Sequence, residues 1–373
     1  MSKHALLSPS SSSRWTKCPP SARLCEHIEE TTSFFAAEGT EAHTLCEYKV
    51  NTALGYITED PVAGLQYYNE EMDSCADEYV SFILETSLME KDAGKDPQIF
   101  TEQRLDISRY VPECSGTGDC IIIADRSLHI IDFKYGQGVP VSAVKNTQMM
   151  LYALGALEMF SPLYEVEEVS MTVFQPRLAN ISTYTITAEE LITWAESYLK
   201  PKATLAFNGE GEFCSGSHCR FCKVKATCRK RAETNMELAR YEFTEPALLS
   251  DEEIAKILTQ ADDLASWVND IKGYGLSVLH RGGSLPGFKL VAGRSVRKYT
   301  DEKSVAQVVK DAGHDPYDHK ILGITAMTKL LGRSRFQELL SSCIYKPKGK
   351  PTLAPESDKR PAIMINDFND MEV

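Results

Sequence analysis

One stretch constrains this chain more than any other: Gly116-Thr-Gly-Asp119, the apolar run Cys-Ile-Ile-Ile-Ala, the polar turn Asp125-Arg-Ser, and a second apolar run ending in Asp132-Phe-Lys134. Two short apolar runs joined by a polar turn predict a β-hairpin. At the open end of such a hairpin Asp119 and Asp132 converge, and Lys134 shares the side of Asp132 because alternate strand residues point the same way. Two hard oxygen ligands and one ammonium at one spot suit a divalent metal and a phosphate. The other reading is a core hairpin whose polar ends are occupied by Asp, a residue common beside turns.

With 373 residues the chain can bury a substantial core in two or three domains. Its formal net charge of −13 argues against a nucleic-acid binder that works by overall charge, yet leaves room for one that works through a metal. There is no run of about 18 apolar residues, and the opening Met1-Ser-Lys-His is too polar for a signal peptide. A cytoplasmic protein without a membrane partner is the expectation. Eleven cysteines in such a compartment do not read as a disulfide framework.

Along the chain, a short helix is expected near Trp15 and Cys18, and longer ones over 38–53 and 66–91. A strand from Gln98 to Ile107 carries Glu102, the hairpin follows, and Val141–Phe160 has helical periodicity. Val169–Gln175 and Thr183–Ile186 read as strands. Thr187 with Glu190 is a capping box that opens a helix to about Phe207. This order predicts an α/β class with a mixed central β-sheet flanked by helices over residues 1–235. Ser250 with Glu253 opens a helix toward His280, and short helices follow at 301–312 and 324–342, a mostly helical α+β extension over 236–345. The Pro- and charge-rich tail, 346–373, is expected to be extended or disordered.

Gln148 and Tyr152, spaced i and i+4, share one face of the helix after the hairpin. If that face meets the hairpin, Gln148 reaches the metal; otherwise Gln148 faces solvent and Tyr152 is ordinary core. His43 in Gly39-Thr-Glu-Ala-His43, and Glu102, are each open to a structural or a ligand reading. Taken together, Gly39–His43, Gly116–Asp119, Ile131–Gly136 and Gln148–Tyr152 resemble, in order, the motif series of the RecB-type branch of the PD-(D/E)XK nucleases. The resemblance implies a restriction-endonuclease-like core. His43, Asp119 and Asp132 would hold Mg²⁺ or Mn²⁺, Lys134 would orient water and stabilise charge on the scissile phosphate, and Gln148 and Tyr152 would support the site.

Four of the cysteines, Cys214, Cys219, Cys222 and Cys228, fall within fifteen residues. Their spacing, C-x4-C-x2-C-x5-C, is compatible with a local zinc site. With Trp15-Thr-Lys-Cys18-Pro upstream, the distribution also resembles the iron–sulfur subset of the same nucleases, which includes AddB and the CRISPR-adaptation exonucleases. That likeness implies a 4Fe-4S cluster on Cys18, Cys219, Cys222 and Cys228. Between and after these cysteines, Arg220, Lys223, Lys225, Arg229, Lys230 and Arg231 form a basic patch, either a surface for a phosphate backbone or a solvated face.

The C-terminal region, with Lys346-Pro-Lys-Gly-Lys-Pro and Glu356-Ser-Asp-Lys-Arg-Pro361, resembles a phage-associated nuclease family. The resemblances together imply a metal-dependent deoxyribonuclease, an exonuclease on DNA ends or single strands, encoded by a phage or prophage and used in replication or recombination in a bacterial host. A helicase or recombination partner is left open. The alternative is a DNA-binding or scaffold protein that keeps the nuclease fold without catalysis.

Overall fold

The computed structural model describes residues 5–28, 34–237, 249–292, 299–317 and 321–345. The expected tail, 346–373, lies outside these residues. The chain divides into two compact units between Gly275 and Leu276.

The first unit begins with two single-turn helices, α1 (Ser12–Trp15) and α2 (Ser21–Leu24), then α3 (Phe34–Ala53) and α4 (Glu70–Asp92). The Asn69 side chain caps α4 by accepting from the Met72 amide, and Glu70, Glu71 and Asp73 place negative charge against the positive end of its dipole. Next come β1 (Gln98–Asp106), β2 (Ser115–Ala124) and β3 (Ser127–Phe133), with β2 and β3 forming the expected hairpin. Then follow α5 (Thr147–Phe160), β4 (Glu168–Gln175) and β5 (Asn180–Thr187). The capping box of Thr187 and Glu190 opens α6 (Ala188–Trp194), which continues through one π-helical turn, Ala195–Leu199, into α7 (Lys200–Asn208). Past the cysteine-rich segment lie α8 (Arg229–Met236) and α9 (Asp251–His280), the boundary between the units falling within α9.

The five strands form one mixed sheet in the order β1-β2-β3-β4-β5. All neighbours are antiparallel except β3 and β4, which run parallel. A parallel pair needs a crossover, and α5 supplies it. Both faces of the central strands are covered, which is why β2 and β3 read as continuous apolar runs. On one face Ile121, Ile123, Leu128 and Ile130 pack with Leu151 and Leu154 of α5. On the other, Cys120, Ile122, Ile131 and Phe133 pack with Leu45 of α3 and Tyr79 and Ile83 of α4.

Helix α5 starts at Thr147 rather than at Val141. The Asn146 side chain accepts from the Gln148 and Met149 amides and fixes the start there. Residues 141–143 are instead tied to the edge of the sheet, with Val141 donating to Gln175 and Ala143 to Ser182, each at 2.9 Å.

In the second unit, α10 (Glu302–Asp311) is capped by Asp301, whose side chain accepts from the Lys303 and Ser304 amides. The helix expected over 324–342 is two helices, α11 (Ile324–Leu331) and α12 (Arg333–Leu340), because Gly332 between them has a φ of 74°. Among the described residues no helix is long and apolar enough to cross a membrane.

Candidate metal centre and cysteine site

The carboxylates meet at the end of the sheet. Asp119 on β2 accepts a hydrogen bond from the Phe133 amide of β3 at 2.7 Å, closing the mouth of the hairpin. His43 of α3 places Nδ1 3.3 Å from Asp119 Oδ2. Glu102 completes the group: one ligand atom each from His43, Glu102 and Asp119 all lie within 4.8 Å of one another. Asp132, the last but one residue of β3, is buried and faces the α5 side. Its oxygens lie 2.9 and 3.1 Å from Lys134 Nζ, and Gln148 Nε2 donates to Oδ1 at 3.3 Å. Gln148 Nε2 also lies 3.2 Å from the Tyr152 hydroxyl, so the i, i+4 pair does face the hairpin.

Glu102 is the residue whose role the sequence left open. Thr101 pairs with Cys120 and Gln103 with Gly118, so Glu102 stands across from Asp119 with no residue inserted in the ladder. Its φ is 45°, a left-handed conformation that costs a non-glycine residue about 1 kcal/mol or more. The geometric triad thus contains Glu102, while Asp132 sits beside it in the grip of Lys134.

Gly116 has a definite reason. A Cβ there would come within 2.7 Å of Tyr152 Cε1 and 3.0 Å of Pro9 Cγ, so only glycine lets the tyrosine ring lie on the start of β2. At Gly118 the nearest contact of a Cβ would be Leu105 at 3.3 Å, tight but far less severe.

The charges are interdependent. Burial pushes Glu102 up to about 7, with the Asp119 charge adding to it. Burial also raises Asp132, helped by Asp119 and opposed by Lys134. Burial works against the charged forms of His43 and Asp119 too. Their mutual attraction outweighs it, so His43 goes up and Asp119 goes down. Lys134 is raised, despite burial, by Asp132 and Asp119, and stays an ammonium at any physiological pH. Burial takes Tyr152 up to about 12.

These residues fit a divalent cation. Two carboxylates and an imidazole form a mixed O/N donor set, and opposed carboxylates on neighbouring strands repel unless something positive lies between them. Asp132 Oδ2 is moreover a buried acceptor with no aligned hydrogen bond among the described residues, where the Lys134 ammonium lies 2.9 Å away.

The thiols gather at a second place in the fold. Cys18, Cys214, Cys219, Cys222 and Cys228 line one small cavity, together with His218, which bonds the Cys214 carbonyl at 2.9 Å. Cys18 comes from the turn after α1, nearly two hundred residues upstream, and accepts from the Cys214 amide at 3.5 Å. Burial opposes its thiolate, but His218 and the Cys214 amide bring its pKa below the ordinary thiol value. Thiolate is the form that binds metal. Cys18, Cys219 and Cys222 are buried, Cys228 is partly so, and Cys214 is exposed. A buried sixth thiol was missed in the sequence: Cys25 Sγ lies 3.8 Å from Cys222 Sγ. Its place seven residues after Cys18 was the available signal.

The six cations of the predicted patch separate. Arg231 is buried and donates to Asp270 Oδ2 at 2.6 Å, and Lys225 lies 3.0 Å from the same carboxylate. Lys223 donates to the Ile28 carbonyl, and Lys230 lies 4.0 Å from Glu233. Arg220 and Arg229 are exposed, Arg220 over the Phe221 ring.

By fold and site this is an α/β protein with a mixed sheet that carries a histidine–carboxylate centre at one end and a thiol-lined cavity beside its N-terminal helices. The chain belongs to the family described as a protein of unknown function, DUF2800, which matches it over residues 4–361. A crystal structure of a protein designated SSO0001 is similar at 13% identity, over 59% of this chain and 96% of that chain, with a TM-score of 0.22.

Proposed function

We propose that this protein is a divalent-metal-dependent deoxyribonuclease that hydrolyses phosphodiester bonds at DNA ends or in single strands. The observation that carries the reading is the convergence of His43, Glu102 and Asp119 next to the Asp132–Lys134 pair. His43, Glu102 and Asp119 would hold Mg²⁺ or Mn²⁺, with Asp132 at the side of the site. When bound, such an ion acidifies a coordinated water and neutralises charge on phosphate oxygens.

The chain's own residues supply the rest. Lys134, permanently charged, meets the charge that builds on the phosphoryl oxygens as the bond breaks. Both oxygens of Asp132 hold that ammonium in place, and Gln148 fixes Oδ1 from the α5 side. Tyr152 keeps its proton and positions the Gln148 amide.

The cavity of Cys18, Cys219, Cys222 and Cys228 would take a 4Fe-4S cluster, which ties the N-terminal helices to the segment after α7. The burial of Cys18 and the exposure of Cys214 favour this set over a local zinc site on Cys214, Cys219, Cys222 and Cys228. In this reading the enzyme works in the cytoplasm of a bacterial host on phage DNA.

The test is cleavage of DNA labelled at its 5′ or 3′ end, single- and double-stranded, under Mg²⁺ and Mn²⁺. Cleavage by the wild type that Lys134→Ala abolishes supports the reading. No cleavage under either metal, with or without the substitution, counts against it.

A further inference from the structure

An open groove of about 350 Å³ runs beside the thiol cavity, large enough for a nucleotide-sized group. Lys17 and Lys202 line it, together with Tyr198, Thr16, Ser215 and Ser217. Neither lysine makes an ion pair among the described residues, although the chain as a whole carries a net charge of −13. Two unpaired cations facing one groove, in a molecule that pairs Lys225, Arg231 and Lys49 with carboxylates, are an anion-binding arrangement.

Tyr198 gives that anion a character. It is 39% exposed, and its ring stacks on Trp194 with centroids 6.2 Å apart and planes 28° from parallel. A ring steadied by a neighbour and partly exposed offers a base a surface on which to stack. Tyr198 stands in the π-helical turn Ala195–Leu199, a distortion of the α6–α7 helix often found at functional sites.

The wall of the groove is tied, through buried residues, to the helix that carries Gln148. Ser12 Oγ lies 2.7 Å from Thr147 Oγ1, and Thr147 precedes Gln148 in α5. Thr16 Oγ1 donates to the Ser12 carbonyl, so the chain from Ser12 to Lys17 keeps a helical path. At 1.5 Å per residue those five steps span about 8 Å. The far wall, Cys214–His218, is the start of the cysteine segment.

We infer that this groove is a track for single-stranded DNA, in which Lys17 and Lys202 hold successive phosphates and Tyr198 stacks a base. The inference rests on the nuclease reading for its direction, since the track would lead a strand toward Gln148 and Asp132. Its binding chemistry stands without cleavage.

The experiment is fluorescence anisotropy of a labelled oligothymidylate with the full chain in EDTA, where no hydrolysis occurs. The Lys17→Glu/Lys202→Glu pair should weaken binding at least tenfold and lower the slope of log affinity against log salt by about 1.4, since each phosphate contact on a single strand contributes about 0.7. Tyr198→Ala should weaken it about five- to hundredfold, and Tyr198→Phe, which keeps the ring, should bind like wild type. Lys91→Glu, an exposed charge change on α4 at the other face of the sheet, should leave binding unchanged. Wild-type affinity in the lysine pair, or equal losses for single strands and a blunt duplex of the same sequence, would overturn the track. If the groove variants lose binding while the wild type cleaves nothing under any metal, the track stands and the nuclease reading falls. If cleavage depends on Lys134 but the groove variants bind normally, the reverse holds.

Discussion

Glu102 stands across the β1–β2 ladder from Asp119, and it does so in a left-handed conformation that its neighbours in the strand do not share. Two carboxylates are thereby held together in a partly buried place, where the charge of Asp119 makes Glu102 costlier to ionise.

That strain predicts a trade between stability and metal binding. Glu102→Gln removes one of the opposed charges and should raise the melting temperature of the metal-free protein by about 2 °C, for a gain on the order of 1 kcal/mol. It should also abolish the stabilisation that Mn²⁺ gives the wild type. The sign of the pH effect follows from the raised pKa: below about 4.5 Glu102 is neutral in both states, and between there and about 7 the folded state binds more protons. The metal-free wild type should therefore lose stability across that interval as pH rises, and Glu102→Gln should lose less. Melting curves with and without Mn²⁺ at several pH values check both.

Gly116→Ala places a methyl group 2.7 Å from the Tyr152 ring. A cost of about 1–3 kcal/mol is expected from urea unfolding. In the Gly116→Ala/Tyr152→Ala double variant the two effects should fall short of adding, because the second change removes the obstacle to the first. Additive losses would show that the collision is relieved elsewhere.

His129 gives a separate pH dependence. Burial takes it down to about 4, against the weaker pull of Glu90, and its Nε2 is bonded to Thr172 at 2.7 Å. Between about 4 and 6.5 the unfolded chain binds more protons at this group, so its contribution to stability is lost as pH falls through that range. A tenfold loss of proton affinity corresponds to about 1.4 kcal/mol, which makes the whole contribution on the order of 3 kcal/mol. Urea midpoints at pH 7 and pH 5 should differ by less in His129→Gln than in the wild type. An equal difference would assign the acid sensitivity to other groups.

Much of this was legible in the sequence, for physical reasons particular to each element. The hairpin, α4 and the capping box of α6 show in apolar runs, periodicity and capping chemistry that are local. The start of α5 was set by the side chain of one residue, Asn146, and the split between α11 and α12 by the φ of Gly332, and periodicity registers neither. Glu102 looked like any polar residue in a strand, since the signal that separates it is a backbone angle. Arg231 looked like surface charge because its partner, Asp270, lies 39 residues further on and on another helix.

The thiol cavity makes a chemical prediction. Protein purified without oxygen should be brown and contain iron. Cys18→Ser should lose the iron, and Cys214→Ser, which changes an exposed thiol, should keep it. Colourless protein with one zinc per chain, retained in Cys18→Ser and lost in Cys214→Ser, would assign the centre to the local four-cysteine set instead.

The most direct test of the central claim is the cleavage rate of end-labelled single-stranded DNA under Mn²⁺ by the wild type and by Asp132→Asn, which keeps the shape of the side chain and removes its charge. The account predicts metal-dependent cleavage by the wild type and a loss of about a hundredfold or more in the variant, with DNA binding in EDTA unchanged. Equal cleavage by the two proteins would contradict it.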